Sequence, residues 1–330
     1  MNLLRLRWTI LPVAVVLLLL SFPELNDSRS LLILLTKIFI YAVFAMSYDL
    51  LLGYTGIVSF GHAMFFGIGA YSVGIGMDVW KNSLGTLLLS VLIGVVAAAV
   101  VSYFVGILSL RLKSHFYAML TLAFSGLFVV AAEKMRSVTN GADGFPFAVP
   151  EFFMDRTNFY YISFVFMIVV FLLLRRFTRS PVGKVLQAIR ENEQRTQSLG
   201  YEVVHYKIIA SVVAGVAAAL SGSMYAITLR FVNTTVFTMD ITIMALLMTI
   251  IGGVGTLYGG IIGAALIEYA HELLTSLAKV HPIFERWIIF FGLLYIIVVM
   301  IFPMGIVGTI KRWQTHRKAA ALGKREGLPW

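Results

Sequence analysis

Apolar runs long enough to cross a lipid bilayer follow one another along almost the whole of this chain. They fall near residues 8–22, 31–52, 62–77, 85–110, 115–132, 159–174, 206–228, 239–251, 260–278 and 287–305. A hydrocarbon core about 30 Å thick takes about 20 apolar residues per helix. The chain is therefore expected to be all-α and polytopic, with about ten transmembrane helices. With 330 residues, 59% of them hydrophobic and 13% charged, only short loops fit between the spans and no sizeable water-soluble domain does. Residues 1–310 read as one transmembrane domain that includes a polar loop at 176–206, and residues 311–330 as a basic cytoplasmic tail. The first run follows Arg5 and Arg7, as in a signal peptide, but Phe22, Pro23 and Glu24 stand where a small-x-small cleavage site would be. It reads as an uncleaved first span.

A net charge of +10 would suit nucleic acid only if the cations formed a surface stripe. They sit instead in short loops and tails, where they report topology, and no nucleic-acid partner is expected. With the N-terminus inside, Arg5, Arg7, Arg111, Lys113, the basic residues from Arg175 to Lys207 and those of the tail share one face. The opposite face receives fewer, so both termini are expected in the cytoplasm. The absence of cysteine removes disulfides, thiolate metal sites and cysteine catalysis together. On the outer side, residues 133–158 carry NGADG and FPFAVPE, a composition that predicts irregular structure.

One inner loop stands apart. Ser180-Pro181 is an N-cap followed by proline at the first helical position. Val182, Val185, Leu186 and Ile189 then recur at helical spacing on one face, while Lys184, Gln187, Arg190, Glu191, Glu193 and Gln194 cover the rest. Gly200 suits a C-terminal stop. Such a helix can lie on the membrane surface with its cations toward headgroups. It can equally seat in the groove of a soluble partner and transmit motion from it. The physics of the segment leaves both open.

Three blocks carry a resemblance to a known family. Residues 47–71 read SYDLLLGYTGIVSFGHAMFFGIGAY, residues 180–208 read SPVGKVLQAIRENEQRTQSLGYEVVHYKI, and residues 246–266 read LLMTIIGGVGTLYGGIIGAAL. Together they resemble LivM-type permeases of branched-chain amino-acid ABC importers, in order and spacing along nearly the whole chain. The resemblance implies a type II-like importer permease in a bacterial inner membrane. It also implies a second permease subunit, two ATPase subunits that hold ATP and Mg, and a periplasmic solute-binding protein. The small-molecule substrate would be leucine, isoleucine, valine or a related solute; importers of urea and short amides have similar permeases. In this family picture 180–200 is the coupling helix, with Val182, Val185, Leu186, Ile189, Arg190, Glu191, Glu193 and Gly200 facing the ATPase. The loop departs from the broader permease pattern, since Arg195 and Thr196 stand where two alanines are expected before the glycine. No G-x-x-x-x-G-K-[ST] occurs, so ATP chemistry is expected on another chain and no cofactor on this one.

The candidate translocation path is the glycine-broken stretch. Gly53, Gly56 and Gly61 interrupt an apolar run together with Tyr54, Thr55 and Ser59. A break at membrane depth is tolerated only where protein or a water-filled cavity satisfies the backbone, and free backbone groups there can meet a zwitterion. The same glycines would also permit close helix packing. Asp49 lies one turn before the break and His62 follows it; an ionisable residue near a span is a functional candidate. Glu268 and Glu272, with His271 between them, share a helix face but are expected at an outer polar edge. Asp240 reads as a helix N-terminal acid. A second glycine run, from Gly252 to Gly263, is expected to be a tight turn between two closely crossing helices. The remaining classes are poorly served: an ion-coupled transporter would need more central charges, and a membrane enzyme would need a metal or nucleophile motif that is absent.

Overall fold

The computed structural model describes residues 19–24, 28–80, 82–110, 114–278 and 305–309, together with 289, 292, 293, 296 and 300. Most of the first and last expected spans, and the basic tail, lie outside the described residues. Ten helices organise the described chain: α1 (Arg29–Thr55), α2 (Ala63–Val79), α3 (Leu84–Ser109), α4 (Ser114–Lys134), α5 (Arg156–Arg179), α6 (Pro181–Glu191), α7 (Glu193–Ser198), α8 (Val203–Leu229), α9 (Met239–Gly252) and α10 (Leu257–Ala278). Each apolar run expected within these bounds is a helix.

By length and composition, α1, α3, α5, α8 and residues 116–134 of α4 can each cross a membrane. The helix α2 is apolar but only 17 residues long, or about 26 Å. The expected eighth crossing is a helix too short to span the core by itself. At 14 residues, α9 spans about 21 Å, and it meets α10 at a bend of 113°. The cause is local: Gly253 takes φ +125° and Gly255 φ +79°, conformations that stop a helix and that side chains resist.

Helix α1 is the hub. Of its most apolar 18 residues 72% are buried within the chain, against 22% for α3. Around it pack α5, α6, α8, α9 and α10. Small residues allow the close approach of α2 and α8. A side chain at Gly69 of α2 would overlap the Ala219 carbonyl of α8, and one at Gly222 of α8 would overlap the Phe66 carbonyl of α2. Serines then tie the helices: Ser221 Oγ donates to the Ile40 carbonyl of α1 at 2.7 Å, and Ser223 Oγ to the Gly69 carbonyl at 3.1 Å. Apolar surface gives helices in lipid little reason to associate, so such close packing and interhelical hydrogen bonds carry the assembly.

The loop between α4 and α5 is irregular but anchored. Short strands β1 (Phe145–Pro146) and β2 (Phe231–Val232) pair antiparallel and pin it beside the end of α8. In the polar loop at the other end, Ser180 caps α6 by accepting from the Gly183 amide at 3.3 Å, with Pro181 at the first position. The expected single helix to Gly200 is two. Asn192 is extended at φ −159°, ψ 101°, and its side chain accepts from the Arg195 amide, so one residue ends α6 and caps α7. Gly200 ends the pair at φ +89°.

Candidate functional site

The end of α1 explains how a glycine break can exist inside the bundle. Gly56 adopts φ +74°, and the Ile57 amide returns to the Leu51 carbonyl at 3.1 Å, which closes the helix. The chain then runs without helical bonds to α2, and side chains from elsewhere take up its polar groups. Tyr48 Oη donates to the Ser59 carbonyl at 3.0 Å, the Phe60 amide to Thr121 Oγ1 at 3.2 Å, and the Ala63 amide to Thr242 Oγ1 at 2.9 Å. His62 is fully buried. Its Nε2 lies 2.9 Å from Ser47 Oγ, and its ring stacks on Phe44 with Tyr48 and Phe65 edge-on. The histidine bonds a neighbouring helix instead of capping its own.

Next to this break sits the second one. Asp49, with no exposed surface, accepts from the Gly255 amide through Oδ1 at 2.7 Å. Gly53 lies between them; any side chain there would overlap both the Asp49 carboxylate and the Gly255 backbone. The guanidinium of Arg190, on α6, reaches the Gly53 carbonyl and donates to it. Four residues from three separate stretches, Asp49, Gly53, Arg190 and Gly255, thus meet where the polar-loop helix touches both glycine breaks.

The candidate path residues are brought together, but inside the fold. Asp49, Gly53, Thr55, Ser59, Gly61 and His62 are buried, Tyr54 is half-buried, and Gly56 is exposed. Gly53 and Tyr54 line a cleft at the polar-loop end, and the others form a packed junction beside it. The loop residues divide in a way the sequence did not foretell. Leu186 and Ile189 are buried against this chain's own core, with Val182 and Val185 half-buried beside them. The apolar face assigned to the ATPase therefore points inward, because it is the only apolar stripe on a helix that must pack on α1, α5 and α8. The outward surface is Arg190, Glu191, Glu193, Gly200 and the strongly exposed Leu199. Glu193 is also held at 2.8 Å by Lys207 of α8.

Two partners had no signal in the sequence: Gly255, read as part of a packing turn, and the hydroxyl set Ser47, Thr121 and Thr242. Glu268 also differs from its expected outer polar edge. It is buried while Glu272 is exposed, because α10 turns that part of its face against α1. Asp240 lies in the first turn of α9, as expected.

Residues 30–300 match the family model described as the branched-chain amino acid transport system / permease component. The chain belongs to that family. It is accordingly a multi-pass membrane protein built as an all-α ABC permease. Among curated proteins it is 23% identical to the High-affinity branched-chain amino acid transport system permease protein LivM of Salmonella typhimurium, over 75% of this chain and 64% of that protein. The chain thus spans somewhat under two thirds of that relative's length. The protein of the same name from Escherichia coli is 23% identical over 95% of this chain and 78% of its own length. A probable branched-chain amino acid transport permease protein LivM from Methanocaldococcus jannaschii is 21% identical over 81% and 90%. No solved structure gives a significant match.

Proposed function

We propose that this permease is half of the translocation unit of an ATP-driven importer of branched-chain amino acids. It works in a bacterial inner membrane with both termini in the cytoplasm. Its partners are a second permease subunit, two ATPase subunits that bind ATP and Mg, and a periplasmic solute-binding protein. Support for the class comes from family membership, and support for the substrate from relatives named for branched-chain amino acids. The observation that carries the mechanism is the contact of Arg190 with the Gly53 carbonyl. Helix α6 lies in the polar loop with one face outward and the other packed on the bundle, so a push on its outer face is transferred inward. Arg190 links that helix to the glycine break, and Asp49 links the break to the turn before α10. Motion of α6 driven by a docked ATPase would move both breaks together, which is what alternating access requires of a rigid-body element. The coupling role thus falls to Arg190 and the outward residues Glu191 and Glu193, with Leu186 and Ile189 holding α6 to its own chain.

The test is uptake into proteoliposomes carrying this chain with its candidate permease, ATPases and binding protein. Leucine uptake should require ATP. Arg190→Ala should lower it at least about tenfold, the scale of a lost charge-assisted hydrogen bond, while ATP hydrolysis continues and the complex still assembles. ATP-dependent urea uptake would retain the mechanism and replace the substrate. Uptake driven by an ion gradient without ATP would overturn the importer reading and turn attention to Asp49 and Glu268.

A further inference from the structure

At the polar-loop end, a cleft of about 670 Å³ opens between the last turns of α5, helix α6 and the turn that precedes α10. Arg175 and Arg179 enter it from α5, and Lys184 and Arg190 from α6. Glu191 is the one acid among its lining residues. Arg190 donates to the Gly53 carbonyl; none of the four cations is ion-paired among the described residues. Cations in the last turn of α5 suit its helix dipole. That does not account for Lys184 and Arg190, which converge on the same space from a different helix.

Arg175 is the most informative of the four. Its Nε is buried and has no hydrogen-bond partner among the described residues, and its guanidinium lies 6.0 Å from the Tyr258 ring centroid. An N–H donor withdrawn from water without a partner is costly, and the guanidinium fork presents its donors well to a planar or tetrahedral oxyanion. The flanks of the cleft are apolar. On α5 the exposed Leu172 adjoins the lining residues Phe171 and Arg175, and on α10 Tyr258 and Ile262 are exposed. A ligand that matches both features carries a phosphate at one end and hydrocarbon at the other.

We propose that this cleft binds the headgroup phosphate of an anionic phospholipid, its acyl chains lying along the exposed faces of α5 and α10. The chemistry is that of basic pockets between helix ends that hold acidic headgroups. The cleft shares Gly53, Arg190, Glu191 and Gly255 with the coupling site above, but lipid binding does not rest on any ATPase partner. A phosphate in the cleft would join α5 to α6 through Arg175, Arg179 and Lys184, across the junction at Ser180. Inorganic phosphate offers the same oxygens without the chains, so the two sources must be separated.

The full-length chain is placed in nanodiscs of phosphatidylcholine with an equal share of phosphatidylglycerol, and native mass spectrometry counts the lipids that survive release. Wild type should retain phosphatidylglycerol in preference to phosphatidylcholine. Arg175→Gln and Arg179→Gln should each reduce that preference about fivefold, the scale of one basic residue near an anionic headgroup. Lys184→Gln, at an exposed position, should reduce it less and covers the case in which Arg175→Gln fails to fold. Equal retention of the two lipids, or a preference unchanged in all three variants, would overturn the proposal. Displacement of phosphatidylglycerol by millimolar inorganic phosphate would overturn the lipid assignment in favour of a free anion. Weaker ATPase binding by the variants with lipid retention intact would also overturn it and make the cleft a protein contact.

Discussion

The glycine break between α1 and α2 is held by side chains, whereas the one between α9 and α10 is held by backbone conformation. In the first, Tyr48, Thr121 and Thr242 reach from three helices to satisfy the polar groups of residues 59, 60 and 63. In the second, residues 253–256 turn the chain through positive φ at Gly253 and Gly255, and Asp49 accepts from the Gly255 amide. A longer gap exposes more unpaired amides and carbonyls and needs more donors and acceptors from outside. A short one can be closed by glycine alone. The difference suggests unequal mobility: loosening Asp49 frees the second break, while the first stays tied at three points.

Gly53→Ala strikes both breaks at once and should have the largest effect. Its methyl overlaps backbone at Gly255 as well as the Asp49 carboxylate, and backbone cannot swing away. A loss of about 3 kcal/mol is expected, at the high end for overpacking. Thermal unfolding of the purified chain in detergent reads it, with Gly126→Ala, which meets nothing within 4 Å, as the unaffected control. If Gly53→Ala melts with the control, the two breaks are not in contact.

Asp49→Ala should cost about 2 kcal/mol by leaving the Gly255 amide unpaired, and Asp49→Asn should restore most of it because an amide oxygen still accepts. Hydrogen exchange would place the Asp49→Ala effect in residues 253–256 and leave 56–62 protected. Exchange rising equally in both segments would remove the distinction between the two breaks.

Thr242→Val is the mildest. It removes one of several ties on the first break, at about 1 kcal/mol, with increased exchange confined to the start of α2. An effect as large as that of Asp49→Ala would mean that the first break rests on one of its three bonds and not on all of them.

Much of this architecture was legible from local pattern. The apolar runs marked the helices because length and continuity alone decide whether a segment can satisfy its backbone in lipid. Ser180-Pro181 marked the start of α6, since capping and a fixed proline φ are properties of adjacent residues. The break at Asn192 was not read. The apolar spacing through Ile189 and the glycine at 200 hid an asparagine that ends one helix and begins another. The direction of the α6 apolar face was also misjudged, because a stripe specifies that something covers it and leaves open whether that is this chain or a partner.

What the sequence alone determined is a polytopic helical membrane protein with two glycine interruptions and one capped amphipathic loop helix, each a consequence of residues within a turn or two of one another. Only the tertiary structure decided that these three features are one site. Asp49 and Gly255 are separated by 206 positions and Arg190 and Gly53 by 137. No local preference reports contact over such distances. It arises from how the helices pack around α1, where glycine lets two backbones and a carboxylate occupy the space a single side chain would fill.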